Sequence, residues 1–110
     1  MPIAKVFVDE SIYSQCESKL MDALPSIRDM LCAELVVPVE ACQLNIVPVA
    51  GLQDQPLANV EIKILAAPDR TPEKVRGVCN RLRYMVAGIT GVRTAVRASM
   101  LDPKAYIALK

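Results

Sequence analysis

Apolar positions along this chain recur with two different periods, and the switch between them happens in the same order twice. Ile3-Ala4-Lys5-Val6-Phe7-Val8-Asp9 reads as a strand. After it, Cys16, Leu20, Leu24, Ile27, Leu31 and Leu35 recur at spacings of four, four, three, four and four, the stripe of an amphipathic helix. Ser14 fits the N-cap, and Pro25 falls off the stripe on the wet side, where it kinks the helix without ending it. Val36-Val37-Pro38 closes the helix, because a residue before proline is driven out of the α region. Cys42-Gln43-Leu44-Asn45-Ile46-Val47 alternates as the next strand.

The second half repeats strand, helix, strand. Beyond the connection Gly51-Leu52-Gln53-Asp54-Gln55-Pro56, Val60, Ile62 and Ile64 alternate with Asn59, Glu61 and Lys63. Thr71-Pro72 is a helix start, a capping hydroxyl followed by proline at the first helical position. Val75, Val78, Cys79, Leu82, Met85, Val86 and Ile89 make the second stripe, and Gly88 or Gly91 stops it. A fourth strand is expected from Val92 to Met100, broken by Asp102-Pro103, with Tyr106-Ile107-Ala108-Leu109 as a short terminal strand.

Two β-α-β pseudo-repeats, about 2–50 and 57–101, predict one α+β domain over residues 1–110. Right-handed crossovers make this a four-stranded mixed sheet with both helices on one face. The other face then lies uncovered and half apolar, which predicts a homo-oligomer.

Composition narrows the class. With 110 residues, 53% of them hydrophobic and 23% charged, the chain can bury a single real core. A net charge of +1 gives no electrostatic reason to expect nucleic acid or an anionic membrane as partner. No apolar run approaches a membrane span and no signal-peptide pattern is present, so a cytoplasmic location is expected. Cys16, Cys32, Cys42 and Cys79 are widely spaced and no histidine exists, which argues against a zinc site and a redox pair and reads the cysteines as small buried hydrophobes. The missing histidine also removes Ser-His and Cys-His nucleophile systems, and no phosphate-binding glycine loop is present. An RNA-binding sheet needs stacking aromatics on its middle strands, and Phe7, Tyr13, Tyr84 and Tyr106 are the only aromatics. Arg93 and Arg97 share one strand face by alternation and read as a solvated or intersubunit stripe.

The candidate chemistry is at the start of the chain. Removal of Met1, expected before a small residue, leaves Pro2 as a free secondary amine at the edge of a core strand. An α-amino group titrates at roughly 7.7–8, and burial or a nearby cation pulls that value down, toward the range where a general base works best. Retention of Met1 would make the Pro2 nitrogen an amide with no basic lone pair.

With this Met-Pro start, two β-α-β units, Lys63-Ile64-Leu65 leading to Asp69-Arg70-Thr71, and Asp102-Pro103 followed by Tyr106, the chain resembles the tautomerase superfamily. The likeness is nearest the 5-carboxymethyl-2-hydroxymuconate isomerase branch, with 4-oxalocrotonate tautomerase and macrophage migration inhibitory factor as relatives in fold. The resemblance implies a homotrimer and a cofactor-independent keto-enol tautomerase or isomerase of a small 2-oxo or 2-hydroxy unsaturated acid. Pro2 matches the proton-transfer residue, and Arg70 the arginine that holds a substrate carboxylate or polarises its carbonyl, as a planar guanidinium can. Tyr106 lies in the C-terminal segment that contributes to the family's pocket, and otherwise reads as an interface aromatic.

Two departures bear on the substrate. Gln43 stands where several members carry arginine, and it can hydrogen-bond a ligand but not neutralise a carboxylate, which favours neutral or singly charged substrates. Asp9-Glu10-Ser11 also lacks the arginine some short members place there, and Lys5 alternates onto the strand face opposite Pro2. Two other readings remain: a non-catalytic oligomeric ligand-binding or scaffold protein, and a proline-dependent hydratase, dehalogenase or decarboxylase.

Overall fold

The computed structural model describes residues 2–110. Strand β1 (Ile3–Asp9) leads directly into helix α1 (Glu10–Leu35), and a 3-10 turn at Val39–Ala41 precedes β2 (Gln43–Val49). The second unit is β3 (Ala58–Leu65), α2 (Pro72–Thr90) and β4 (Thr94–Leu101). The sheet order is β2-β1-β3-β4, with parallel pairing inside each unit and antiparallel pairing of β1 with β3 between units.

Ala4, Val6 and Val8 on β1, and Ala58, Val60, Ile62 and Ile64 on β3, are buried on the helix side. Cys16, Leu20, Ile27, Leu31 and Leu35 of α1, with Val78, Leu82 and Val86 of α2, close over them. Leu24, placed on the same stripe by spacing, is only half-buried.

Helix α1 starts five residues earlier than Ser14 would place it, because Asp9 is the cap. Its carboxylate accepts from the Ser11 N–H at 2.9 Å, the Ser11 hydroxyl at 2.5 Å and Gln53 Nε2 at 3.1 Å. Those bonds, the Ser11 hydroxyl first, hold the Asp9 carboxyl below the usual aspartate value. Its share of stability is therefore present above the unfolded-state value near 3.9 and is lost as pH falls through the lowered one. The helix continues through Pro25. At α2 the sequence signals and the structure agree: Thr71 accepts from the Lys74 N–H at 3.2 Å, Pro72 opens the helix, and Gly91 ends it at φ 70°.

The terminal strand expected at Tyr106–Leu109 does not form in the single chain. Asp102 instead anchors a turn through its carbonyl and side chain, and the tail beyond Tyr106 is exposed. Arg93 falls just outside β4 and packs near Tyr84 of α2, whereas Arg97 lies on the open sheet face and donates to Asn59 Oδ1 at 2.9 Å. The expected Arg93–Arg97 stripe is thus split between two surfaces.

The open face is graded. Register sets Asn45, Lys5, Glu61 and Arg97 in one transverse row, and Gln43, Ile3, Lys63 and Ser99 in the row beside it. One row the other way brings Val47, Phe7, Asn59 and Ala95 together. The apolar half therefore lies toward the end of β1 and the polar half toward its start.

Helix α1 ends on Val36 in the left-handed region, at φ 54°. A β-branched residue there is strained by roughly 1–2 kcal/mol, and glycine is the usual occupant. Val36 is 75% exposed and has little packing to lose. Val36→Gly is expected to raise stability by about 0.5–1 kcal/mol after the extra freedom of glycine in the unfolded chain is deducted. Urea denaturation measures it, and a destabilised variant would show that the valine side chain packs against something.

Candidate active site at the start of β1

Four element ends and a loop meet at the edge that holds Pro2. The parallel β1–β2 register begins at Ile3 opposite Gln43, and the antiparallel β1–β3 register ends at Ile3 opposite Lys63. That brings the starts of β1 and β2, the ends of β3 and α1, and the loop into α2 to one edge of the molecule. Pro2 is buried there, and its carbonyl accepts from the Gln43 N–H at 3.1 Å. The proline is thus pinned by the strand carrying the polar side chain singled out from the sequence.

The residue after Pro2, Ile3, lines two adjoining hollows. One, of about 260 Å³, is formed by Glu40, Ala41, Gln43, Tyr106 and the C-terminal tail. The other, of about 170 Å³, is formed by Lys5, Glu61, Lys63 and Tyr106 on the open sheet face. Tyr106 and Ile3 belong to both, so the two hollows adjoin at the residue after Pro2. Gln43 and Tyr106 are therefore brought together, while the Gln43 amide donates to Asn45 Oδ1 at 3.3 Å. Glu40 and Lys110 were missed from the sequence. Glu40 is a polar residue in a three-residue turn, and no periodic pattern points to it.

Arg70 is at the same end but faces elsewhere. Nη1 donates to the Leu65 carbonyl at 2.6 Å and Nη2 to the Leu35 carbonyl at 3.3 Å, while Nε is buried without a partner. The Leu35 carbonyl is one of those a helix C-terminus leaves unsatisfied, so the guanidinium ties the end of α1 to the end of β3. Its side chain borders a separate hollow of about 400 Å³ shared with Pro72, Val75, Arg76, Cys79 and Met100. The structure does not bring Arg70 into the Gln43–Tyr106 hollow.

The thiols near the site are poor nucleophiles at neutral pH. Burial, reinforced by the neighbouring Cys32, pushes Cys42 up to about 11 against the opposing charge of Arg28. Burial likewise raises Cys79, against Arg76. Cys16 and Cys42 are buried and Cys32 and Cys79 half-buried, and all four are free thiols. No helix among the described residues is long and apolar enough to cross a membrane.

The tether makes Arg70 a stability residue whatever its chemical role. A hydrogen bond from a charged group contributes about 1.5–3 kcal/mol. Arg70→Ala is therefore expected to lower unfolding stability by about that amount or more, and Arg70→Lys to recover only part, since a single ammonium cannot span both carbonyls. Chemical denaturation of the two variants checks this, and an unchanged midpoint for Arg70→Ala would mean the two bonds add nothing.

A scan against protein-family sequence models gives no match, and a search of curated proteins gives none at significance. Comparison of structures gives whole-chain matches. A domain of unknown function from Sebaldella termitidis superposes with TM-score 0.76 at 18% identity, over 98% of this chain and 95% of that one. A native fused 4-OT superposes with TM-score 0.72 at 16% identity, over 96% and 91%. A macrophage migration inhibitory factor-like protein from Entamoeba histolytica gives 0.71 at 14% identity, over 97% and 94%. At such identities it is the architecture that is shared, and from β1 to β4 this chain has the fold of the tautomerase superfamily.

Proposed function

We propose that the protein is a cofactor-independent tautomerase or isomerase of a small 2-oxo or 2-hydroxy unsaturated acid, with Pro2 as the proton-transfer residue once Met1 is removed. The observation that carries this reading is the placement of Pro2: buried, fixed through its carbonyl to Gln43, and one residue before the hollows that adjoin at Ile3.

In this reading the amine of Pro2 takes a proton from an enol hydroxyl or from the carbon α to a carbonyl, and returns it at the far end of the conjugated system. Burial disfavours the protonated amine. Gln43 offers an amide to a substrate oxygen, and Tyr106 a phenol or an apolar wall. Arg70, engaged by the Leu65 and Leu35 carbonyls, holds the frame at this end of the molecule and would reach a substrate only by leaving them. The open sheet face builds a homo-oligomer, taken here as a trimer; a fused 4-OT of the same fold is described as an asymmetric trimer. A second reading, a ligand-binding scaffold without chemistry, draws support from the engagement of Arg70 by two main-chain carbonyls.

Activity on an enol such as phenylenolpyruvate or a 2-hydroxydienoate separates the two. Trimmed protein should show turnover that rises with pH through one titration below about 8, because the base acts only when unprotonated. One residue added ahead of Pro2 should abolish turnover and leave the fold intact, and Pro2→Ala, which keeps a primary amine, should be slowed. The probe 2-oxo-3-pentynoate, with which Pt0534 of the same fold was inactivated, should add its mass to the peptide that begins at Pro2. Equal turnover by trimmed and extended protein would overturn catalysis by Pro2, and no turnover by either would support the scaffold reading.

A further inference from the structure

Two thiols meet where α1 gives way to β2, although nine residues separate them in the sequence. Cys32 stands in the last turn of α1, and its sulfur faces the bend that follows: Sγ donates to the Pro38 carbonyl at 3.7 Å. The 3-10 turn at Val39–Ala41 then folds the chain back, since the Cys42 N–H donates to the Val39 carbonyl at 3.2 Å. Cys42 thereby returns to the place that Cys32 already faces. Gln43 lies on the open sheet face, so by alternation Cys42 points toward the helix layer, where it is buried. Of the ionisable groups that act on the Cys42 thiol, that of Cys32 acts most strongly.

The surroundings suit a pair better than two separate thiols. Cys32 is half-buried and Cys42 buried, so a small oxidant meets Cys32 first. Arg28 lies one turn before Cys32 on the same side of α1, and its Nε is buried without a partner. Its charge acts on Cys42 in the sense that favours a thiolate. The other two cysteines have different neighbours. Cys16 reaches the Thr90 carbonyl at 3.9 Å, and Cys79 borders the hollow with Arg70 and Met100.

We propose that Cys32 and Cys42 are a reversible dithiol, oxidised within the folded chain to an intramolecular disulfide by a small disulfide such as glutathione disulfide. The Cys32 thiolate attacks one sulfur of the oxidant and expels a glutathione thiolate, leaving a mixed disulfide on Cys32. Cys42 then gives up its proton, attacks the Cys32 sulfur and expels the second glutathione thiolate. Two protein thiols become one disulfide, one glutathione disulfide becomes two thiols, and the two protein protons end on those thiols. Burial pushes Cys42 up to about 11, so it is the second thiol to act and not the first. The fold offsets that weak acidity by fixing Cys42 beside the sulfur it must attack. The bridge closes a loop that contains the left-handed Val36 and ends one residue before Gln43, whose N–H holds the Pro2 carbonyl. It requires nothing of the proline chemistry.

The test holds the whole folded chain, without denaturant, in glutathione buffers that run from fully reduced to mostly disulfide, blocks the remaining thiols and cleaves after glutamate. Glu34 and Glu40 both lie between the two cysteines, so the cysteine peptides stay joined only where the bridge has formed. The expected result is a Cys32–Cys42 link that appears as the buffer becomes oxidising and reverts in excess reduced glutathione. The oxidised protein should melt about 5–15 °C higher, because closing a loop of about 11 residues restricts the unfolded chain. Cys42→Ala should stop at the glutathione adduct on Cys32, and Cys32→Ser should leave Cys42 unmodified. Thiols at both positions that stay free in the most oxidising buffer overturn the proposal. So does a bridge to Cys16, to Cys79 or to a second chain in place of this one, or a Cys32–Cys42 bridge that forms only in urea or lowers the melting temperature.

Discussion

The antiparallel pairing of β1 with β3 is the constraint on which the rest depends. Each β-α-β unit alone is a two-stranded parallel ribbon with one helix, too small to bury its apolar stripe. Joining them at β1 and β3 gives Val6, Val60 and Ile62 neighbours on both sides and covers them with two helices. It also runs the units in opposite directions. The start of the first unit therefore lies beside the end of the third strand, and Pro2, Gln43, the end of α1 and Arg70 converge although they are far apart in sequence.

That convergence explains why the two candidate residues stand in different relations to the site. Pro2 is placed by a strand, through main-chain hydrogen bonds to its neighbour. Arg70 sits in a loop and is placed by what its guanidinium can reach, and two carbonyls left open by an ended strand and an ended helix are within its reach. The left-handed turn at Val36 brings α1 to its close beside this loop, so local backbone strain at an exposed valine and the half-buried arginine belong to one arrangement.

Much of this was legible in the residues. Alternation located β1 and β3, and Thr71-Pro72 with Gly91 bounded α2, because each signal acts within a few residues of its effect. The start of α1 was misplaced because Asp9 is both the last residue of a strand and the cap of the helix, with no loop between; Ile12, one turn before Cys16, was the available sign that the stripe began earlier. The acceptors of Arg70 could not be read, since one of them lies 35 residues away and only the fold brings it near. The terminal strand failed because Tyr106–Leu109 is apolar without alternation, and the Asp102 turn leaves it exposed and unpaired although β2 and β4 both have free edges.

The chemical claim reduces to the basicity of one nitrogen. Titration of the Pro2 nitrogen by ¹⁵N NMR, on protein whose mass shows Met1 absent, tests it without choosing a substrate. The account predicts a single titration at or below the roughly 7.7–8 of a free α-amine, because burial disfavours the charged form. A Pro2 nitrogen that titrates well above that range, or that stays an amide in the purified native protein, would contradict it.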